Sequence, residues 1–549
     1  MNSSSSSMDK KADKWDEHGV HTVPVPSGKG EAALATVEGM DPVTAEMAAR
    51  AREAESSLSL WQAFKAYRWA IFWSVLVSMN IVMESYDTIL LSSFYGYDSF
   101  NRKFGDPLPS GKYSLPAEWQ SAISLAASVG IIIGILLNGL IVDRYGHKII
   151  MFWSLIALCG TIGLIFGATS RGMLLAGQLL SGIPWGTLNV IAPAYAIEVA
   201  PTVLRHYGPT FVNLCWVIGH IIAVGVLVGL QSNTTEWGWK IPFALQWAFP
   251  IPLLIVAWRC PPSPWWLVRR GRKDEAVMAM RRLADDTVNH VEVVALIEHT
   301  VQLEEQLQFG SSYASCFRGV DRRRTEIAIV AWCAQVLVGF SISGYQAYFF
   351  RLAGMAQADS FKLTLGTYCV AFVGTSSAMA LQQRFGRRPL WFNGLFSMFV
   401  SMIVIGVLAC VPQSKTILWV EGAMVLIWFF NYGWSIGPLP YVICCEIGSV
   451  QLRQKTIAIA RASYYVLSIV NTVATPYILN EGQANLKGKA AFIPAGFIVV
   501  LAVWSYFRLP ETKGRGFDEL DVMFADKVPA RKFKTYVVTE GEVPGDHKA

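Results

Sequence analysis

Charged residues are scarce in this sequence: Asp, Glu, Lys and Arg make up 16% of its 549 residues, against about 25% in a typical soluble protein. This scarcity argues against a soluble globular protein. The nine cysteines occur singly or as the pair Cys444–Cys445, without the spacing of a disulfide framework or a metal site. The sequence therefore predicts neither a disulfide scaffold nor a bound metal.

Motifs that indicate catalysis are also missing. The sequence contains no GxGxxG or other nucleotide-binding loop, and no nucleophile–base arrangement. An enzyme is therefore not predicted, and no cofactor is expected. The net charge of +6 is explained by where the basic residues lie along the chain, so it does not indicate a nucleic-acid partner.

Apolar residues, in contrast, are abundant: 53% of the chain is hydrophobic, and these residues form long runs. About 20 apolar residues span a bilayer, where a helix can satisfy its own backbone hydrogen bonds. We therefore predict an all-α membrane protein with twelve transmembrane helices. The predicted spans are residues 69–95, 119–142, 149–168, 172–197, 208–230, 241–259, 327–350, 361–381, 390–411, 418–443, 456–479 and 491–509.

The spacing of these runs predicts two six-helix halves, 69–259 and 327–509. A cytoplasmic linker with short amphipathic helices, 260–326, separates them. Residues 1–68 are predicted to be a mostly disordered cytoplasmic tail, and 510–549 a second cytoplasmic tail. Lys and Arg concentrate in the linker and tails, so the positive-inside rule places both termini in the cytoplasm.

Two local features bear on this orientation. The sequon at Asn233 lies in a loop placed outside, where glycosylation occurs. The run "DRRRTE" at 321–326 is interpreted as a charged face beside anionic lipid, with nucleic-acid binding as the alternative.

Internal duplication supports the two halves. "DRYGHK" (143–148) follows the second span, and "QRFGRR" (383–388) follows the eighth, which is the equivalent place. "EVAPTVLR" (198–205) and "EIGSVQLR" (446–453) end the fourth and tenth spans in the same way. Two related halves with a substrate site between them near the membrane midplane is a known transporter plan.

Several motifs, taken together and in order, resemble those of the sugar porter family of the major facilitator superfamily, over about residues 60–525. Stretches such as "ESYDTILLSSFYG" and "SPWWLVRRGR" are similar to those of fungal maltose-type permeases, which are α-glucoside:proton symporters. The family motifs are "DRYGHK", "PAYAIEVAPTVLR", "PPSPWWLVRRGR", "QVLVGFSISGY", "GPLPY" and "LPETKGRGFDEL". The chain departs from the family at Pro262, where relatives have Glu, and its second loop motif has Gln383 where the first has Asp143.

Two acids, Glu84 and Asp87, lie within the first span. Their i, i+3 spacing places them on one helix face, and acids inside a membrane usually face a cavity because lipid exposure is costly. Such a pair can hold a proton and release it when the cavity opens inward; the alternative is that it only bonds to neighbouring helices. By resemblance, Asp87 matches the acid that takes up the proton. Glu84 is predicted to adjust the proton affinity of Asp87. Two polar positions of relatives are replaced here: the span-four Arg by Gln178 and a span-two acid by Ile131.

Two further titratable residues lie within predicted spans. His220 could relay protons, or it could line the cavity or hydrogen-bond without titrating. Arg461 could extend to the cytoplasm or pair with an acid such as Glu446.

A sugar presents hydroxyls at its edges and apolar C–H faces, so its site combines polar groups with apolar walls. In the seventh span Gln335, Ser341 and Tyr345 roughly share one face. The resemblance extends this predicted site to six residues, in which smaller or aromatic groups replace several long amides, as suits a disaccharide. Trp73, Trp185 and Trp216 are interpreted as packing or interface residues. The predicted sugar-binding residues are Asn213, Gln335, Ser341, Tyr345, Tyr441 and Tyr464.

The resemblance also implies an ion-pair network on the cytoplasmic helix ends, which closes the inner side when the carrier faces outward. Exposed pairs are individually weak, about 0–1 kcal/mol, which suits a gate that opens in each cycle. Gly437, Pro438 and Pro440 are expected to break the tenth helix. The predicted gate residues are Asp143, Arg144, Glu198, Arg205, Arg384, Arg388, Glu446 and Arg453.

The predicted function is proton-coupled uptake of a disaccharide, an α-glucoside such as maltose, across the plasma membrane by alternating access. A sugar sensor and a uniporter with the same fold are the alternatives. The expected partners are sugar, protons and the bilayer, with no nucleic acid, and the expected working unit is a monomer.

Overall fold

The computed structural model describes residues 40–536, apart from gaps at 108–112, 202–203, 205–206, 232, 234, 309–312, 341–345, 353, 413, 450–451, 480–483, 514 and 516. The part it describes is almost entirely helical, with one two-stranded antiparallel sheet that pairs Asp106–Pro107 with Tyr113–Ser114. The all-α prediction agrees with this architecture.

Eleven helices in the described residues are long and apolar enough to cross a membrane. They match the predicted spans 1–6 and 8–12, and we number them so. The helices are Arg68–Phe94, Ala117–Asn138, Arg144–Phe166, Arg171–Val199, Phe211–Leu230, Trp237–Arg259, Gln357–Gln382, Arg387–Leu408, Thr416–Cys444, Lys455–Leu479 and Lys487–Arg508.

The predicted seventh span, 327–350, is a broken helix. It comprises Asp321–Gln335, a π-helical turn Val336–Phe340, and Gln346–Leu352, with 341–345 outside the described residues. Gly339 in the turn has φ +107°, a conformation that glycine adopts without the strain a side chain brings. The break follows directly after Gln335, and π-helical turns occur frequently at functional sites.

Span 10 is broken as expected. One helix ends at Trp434, the next begins at Leu439, and "SIGP" lies between them. Span 6 is interrupted by a 3₁₀ turn, Gln246–Ala248, which precedes Pro250. Such breaks are tolerated in a membrane where the protein interior satisfies the freed backbone groups. Residues 435–440 of span 10 are buried, as is Gln246 of span 6.

Spans 2 and 4 approach each other through glycines. A Cβ added at Gly186 would lie 2.1 Å from the carbonyl oxygen of Ile131, and one at Gly134 would lie 2.0 Å from that of Ile183. Small residues let transmembrane backbones approach this closely. The contact fixes span 4, which carries Gln178 and Asn189, against span 2.

The linker packs on the N-terminal half. Its helices, Pro264–Arg269, Lys273–Arg281 and His290–Gln308, share an apolar cluster with spans 1, 3, 4 and 5. Helices in this linker were predicted. A short 3₁₀ turn, Tyr313–Phe317, precedes the seventh span.

The N-terminal segment differs from the prediction of disorder over 1–68. Residues 1–39 lie outside the described residues, but Pro42–Ser57 and Leu60–Ala66 are helical. Pro42–Ser57 packs against His290–Gln308 and buries Ala48 and Ala51. The segment is rich in alanine, which favours helix, and this signal was overlooked because its composition is polar.

The C-terminal segment 517–536, for which only a cytoplasmic tail was predicted, contains regular structure. A helix, Phe517–Ala525, and a 3₁₀ turn, Ala530–Lys532, pack under the C-terminal half. Met523, Phe524 and Phe533 are at most 1% exposed. Their contacts include Arg323 and Arg324, whose guanidinium carbons lie 5.3 and 4.5 Å from the Phe524 ring centroid. The "RRR" run is therefore partly covered by the chain's own C-terminal segment.

Candidate functional site

A cavity of about 300 Å³ lies between the two halves. Spans 1, 2, 4 and 5 line it from the N-terminal half, and spans 7, 8, 10 and 11 line it from the C-terminal half. Its wall contains both acids of span 1 together with aromatic, amide and hydroxyl side chains. A cavity of mixed polarity between repeats fits the predicted transporter plan.

Asp87 lies in this wall and is 5% exposed. Its carboxylate accepts a hydrogen bond from Gln246 Nε2 at 2.5 Å. Gln178 and Trp185 lie beside the same carboxylate, with their N–H groups outside hydrogen-bonding geometry. Gln246 was missed by the sequence analysis; the only signal was a polar residue between the prolines that break span 6.

Glu84 lies one turn earlier and has different partners. Asn189 Nδ2 donates to Glu84 Oε1 at 3.0 Å and lies 3.4 Å from the Tyr465 hydroxyl. Glu84 Oε2 is buried and makes no hydrogen bond within the described part of the chain. The two acids thus share a helix face, as predicted, but belong to separate polar networks.

Arg461 of span 11 lies in the cavity wall, surrounded by aromatic rings. Its guanidinium carbon is 4.4 Å from the ring centroid of Trp332 and within 5.8 Å of those of Tyr441, Tyr464 and Tyr465. Its charge acts on Glu84 across the interface between the halves. The expectation that Arg461 extends to the cytoplasm or pairs with Glu446 was therefore wrong, because aromatic faces provide a binding site for the cation inside the protein.

Four predicted sugar-binding residues, Asn213, Gln335, Tyr441 and Tyr464, line the cavity. Gln335 Nε2 donates to the carbonyl of Gly437 at 2.5 Å, which joins the breaks of spans 7 and 10. Ser341 and Tyr345 lie outside the described residues.

Aromatic side chains line the C-terminal half of the cavity, among them Tyr441, Tyr464 and Tyr465. The buried ring of Trp332 supports two of them: its centroid lies 4.5 Å from that of Tyr441 and 5.9 Å from that of Tyr464. Trp185 and Trp216 also line the cavity, although the sequence analysis interpreted them as packing residues. Spacing alone did not distinguish a ring that faces a cavity from one that faces a helix.

His220 lines the cavity in span 5. Its ring centroid is 4.7 Å from that of Tyr368 in span 8 and 6.2 Å from that of Trp216. These aromatic neighbours place it at the contact between the halves. The geometry favours a lining role over a proton relay.

One side of the cavity is closed by contacts between the halves, and charge patterning predicts that this side is extracellular. Arg351 pairs with Asp98 at 2.6 Å, and Asp98 N donates to Gln357 Oε1 at 3.2 Å. The rings of Tyr97 and Phe361 meet at 5.6 Å. Asp98 begins a short helix, Asp98–Phe104, which we call the lid helix.

The lid helix is also tied to span 6. Lys103 Nζ lies 2.8 Å from Glu236, which also binds Lys240 at 3.0 Å. Hydrogen bonds from these two lysines hold the pKa of the exposed Glu236 carboxyl below its usual value.

On the opposite side, the predicted gate residues bind groups of their own half. Glu198 accepts a hydrogen bond from Ser263, and His147 Nδ1 lies 3.6 Å from it. The backbone oxygen of Arg144 accepts from Arg270, and that of Arg384 accepts from Lys513. Arg205 and the side chains of Asp143 and Arg453 lie outside the described residues.

Glu446 pairs with Arg387 at 2.6 Å and accepts from Thr512 at 2.5 Å. Arg387 was not among the predicted residues, whereas Arg388 donates to the backbone oxygen of Tyr506. For the described side chains, the network that was expected to join the halves is thus replaced by contacts within each half. In the described residues the halves therefore meet at the side of Asp98 and Arg351 and not through the predicted gate residues.

Comparisons with known proteins agree with this architecture. The family model described as "Sugar (and other) transporter" matches residues 73–524. A general alpha-glucoside permease of Saccharomyces cerevisiae is 37% identical over 496 residues, covering 89% of this chain and 80% of the permease. A maltose permease of the same organism is 34% identical over 497 residues, covering 89% and 81%.

Among solved structures, the E. coli xylose transporter XylE in a partially occluded inward-open conformation gives a TM-score of 0.67 at 20% identity. The match covers 82% of this chain and all of that chain. It shows the major facilitator fold of twelve helices, in which the broken helix at 321–352 takes the place of the seventh. The chain is a multi-pass membrane protein that belongs to the sugar transporter family.

Proposed function

We propose that this protein carries an α-glucoside such as maltose inward across the plasma membrane, together with protons, by alternating access. The observation that carries the proposal is that two buried carboxylates and a sugar-suited wall share one cavity between the halves. The relatives named for α-glucoside and maltose transport support the substrate class. The structural neighbour described as a proton:xylose symporter supports proton coupling.

Proton coupling is supported by the position of the acids. Glu84 lies on span 1 of one half, and Arg461 lies on span 11 of the other. A carboxylate attracts this cation, whereas a protonated acid does not, so protonation changes the energy of bringing the halves together. Asp87 accepts a hydrogen bond from a neutral amide, that of Gln246, and no cation of the described part of the chain holds it in the charged state. The two acids therefore provide proton sites that respond to the conformation of the carrier.

The wall chemistry supports a disaccharide. The rings of Tyr441 and Tyr464 offer faces for apolar C–H surfaces, and the amides of Asn213 and Gln335 suit hydroxyls. The cavity volume of about 300 Å³ lies at the lower end of the usual range for ligand sites. Ile131, which stands where relatives have an acid in span 2, adds an apolar surface to the N-terminal half of the cavity wall.

Orientation and location belong to the same proposal. The basic linker and tails support cytoplasmic termini, and the side closed by Asp98 and Arg351 is then extracellular. The structure accordingly corresponds to a carrier closed to the outside. The named permeases support a plasma-membrane location.

The test is expression in a host that lacks disaccharide carriers, with extracellular pH and labelled maltose recorded together. Proton symport predicts alkalinisation on addition of maltose, which Asp87→Asn abolishes. Glu118→Gln, a change of an exposed acid at the start of span 2, is the matched control and leaves the signal intact. Uptake without a pH change would indicate a uniporter; neither signal with any α-glucoside would indicate a sensor.

A further inference from the structure

The C-terminal segment folds back onto the end of span 12 and places an arginine, Arg531, against the last turn of that helix. The guanidinium carbon of Arg531 lies 4.0 Å from the ring centroid of Tyr506 and 5.0 Å from that of Phe507. Both rings are in the last turn of span 12 and are 47% and 57% exposed. Exposed aromatic rings at the end of a transmembrane helix lie at the membrane interface. Arg531 is therefore held at the level of the lipid headgroups.

A second arginine reaches the same ring from span 9. The guanidinium carbon of Arg388 lies 5.9 Å from the Tyr506 ring centroid and 5.7 Å from that of Phe392. Its Nη2 donates to the backbone oxygen of Tyr506 at 2.8 Å. Two cations thus converge on one tyrosine, although like charges repel.

The neighbouring acid does not neutralise this pair through hydrogen bonds. Glu511 accepts from the backbone N–H groups of Arg387, Arg388 and Lys513 at 2.9–3.1 Å. The guanidinium of Arg531 makes ring contacts but no ion pair or hydrogen bond with any residue that the structure describes. Most of the N–H donors of the two arginines are therefore available to an external acceptor.

Apolar burial, rather than charge pairing, holds the segment in place. Val528, Ala530 and Phe533, which flank Arg531, are at most 4% exposed. The fold thus holds two guanidinium groups next to each other at the end of span 12, where the charge of Glu511 only partly offsets their repulsion, with Lys532 exposed beside them. The repulsion between the cations costs free energy, and an anion bound to both of them would offset it.

We propose that Arg388 and Arg531 bind the phosphate of an anionic phospholipid in the cytoplasmic leaflet. The planar guanidinium fork matches the geometry of phosphate oxygens, and this leaflet is rich in anionic lipid. The exposed rings of Tyr506 and Phe507 and the exposed side chain of Val503 continue from the arginines onto the apolar surface of span 12, where acyl chains pack. This continuity favours a lipid over a soluble phosphate. The proposal requires the predicted cytoplasmic position of the C-terminus, but not the proposed substrate.

The experiment is a titration of delipidated protein in detergent with phosphatidylserine or phosphatidylcholine, followed by native mass spectrometry. Wild type is expected to bind one phosphatidylserine in preference to phosphatidylcholine. The double variant Arg388→Gln, Arg531→Gln should weaken phosphatidylserine binding roughly 30-fold, since each basic residue near an anionic surface contributes on the order of fivefold. Arg281→Gln, which removes an exposed arginine from the linker helix Lys273–Arg281, should leave binding unchanged.

Substitution of both arginines by lysine separates charge from geometry: an intermediate affinity is expected, because lysine keeps the charge but loses the fork. Equal binding of the two lipids by wild type, or an unchanged preference in the double glutamine variant, would overturn the proposal. Displacement of phosphatidylserine by millimolar inorganic phosphate would instead indicate a soluble-anion site and would also overturn it. If the double variant does not fold, Arg531→Gln alone decides the question, since this side chain makes only ring contacts.

Discussion

At the residue scale, the two acids of span 1 were predictable and their partners were not. A carboxylate inside an apolar run is visible in the sequence, because lipid makes it costly. Gln246 and Asn189, which donate to Asp87 and Glu84, come from spans that are distant in sequence. Nothing in their local pattern differs from that of any polar residue in a helix.

Replacement of Gln246 by Leu tests its role beside Asp87. The change leaves the Asp87 carboxylate buried without its donor, which costs about 1–3 kcal/mol in any state that contains the charged acid. Initial uptake of labelled maltose is expected to fall roughly tenfold or more at unchanged surface expression. Gln302→Leu, in the linker helix His290–Gln308, is the control and should retain uptake. Normal uptake by Gln246→Leu would show that the hydrogen bond is not used in transport.

Arg461 can be tested by separating its charge from its planar shape. Arg461→Gln removes the cation whose charge acts on the buried Glu84 carboxylate, and a buried charge left without compensation costs on the order of a few kcal/mol. We expect loss of uptake and a lower melting temperature in detergent. Arg461→Lys should retain part of the uptake and part of the melting temperature, because a cation over aromatic faces remains favourable.

The double variant Glu84→Gln, Arg461→Gln is the informative control for this pair. It removes both charges, so its melting temperature should exceed that of Arg461→Gln alone. Additive losses would show that the two side chains do not interact.

At the scale of elements, the breaks in spans 7 and 10 were visible as glycine and proline. The hydrogen bond from Gln335 to Gly437, which links the two breaks, was not predictable from the sequence. It joins segments about a hundred residues apart. The interrupted span 6 was likewise predicted as one continuous helix, since proline can begin a new helical segment without leaving an apolar run.

Glycine at the contact of spans 2 and 4 provides a prediction with an internal control. A Cβ at Gly186 would lie 2.1 Å from a backbone oxygen, whereas one at Gly160 meets nothing within 4 Å. Gly186→Ala should therefore separate the two helices and destabilise the protein by about 1–3 kcal/mol or more. Gly160→Ala should leave the melting temperature in detergent unchanged. Equal melting temperatures would show that span 4 can move without cost.

The pair between Asp98 and Arg351 predicts how the side that we propose to be extracellular opens. An exposed ion pair contributes about 0–1 kcal/mol, so Arg351→Gln should raise the outward-open population by at most about fivefold. The measurement uses the variant Ser128→Cys, which places a thiol in the cavity wall. A membrane-impermeant thiol reagent modifies this thiol when the outer side is open. The rate of modification is corrected for the rate in the chain without the substitution, which reports the native cysteines.

A charge swap, Asp98→Arg with Arg351→Asp, should restore the slow modification. Arg50→Gln breaks an exposed pair with Glu46 in the N-terminal helix and should not change the rate. A faster rate in this control would mean that the effect is not specific to the outer contact.

At the scale of the whole molecule, the twelve-helix plan followed from hydrophobic runs and the repeat of two motif pairs. The conformation did not follow from them. The predicted inner network describes a carrier closed to the cytoplasm, whereas the structure joins its halves at the other side through Asp98 and Arg351. Motif spacing identifies the predicted gate residues but not the side at which the halves meet, so it cannot indicate which conformation a structure shows.

The terminal segments were predicted less well for a different reason. Pro42–Ser57 and 517–536 are polar in composition but bury small or aromatic residues against the linker and the C-terminal half. Their order comes from tertiary contacts, which are absent from any local window. The same contacts bring Arg531 to the membrane rim, so the feature that the sequence analysis missed is the one that supports a lipid site.

The proposed proton coupling depends on the whole molecule, because it links protons on one half to movement against the other. In the double variant Glu84→Gln, Asp87→Asn the cavity keeps its shape and its hydrogen-bonding capacity, but its acids can no longer release protons. Exchange of labelled maltose across vesicles that contain equal sugar concentrations should therefore continue. Accumulation driven by an inward proton gradient should be lost. If accumulation persists, proton sites other than span 1 drive transport; if exchange is lost as well, the acids are required for sugar binding or folding, which a melting curve in detergent distinguishes.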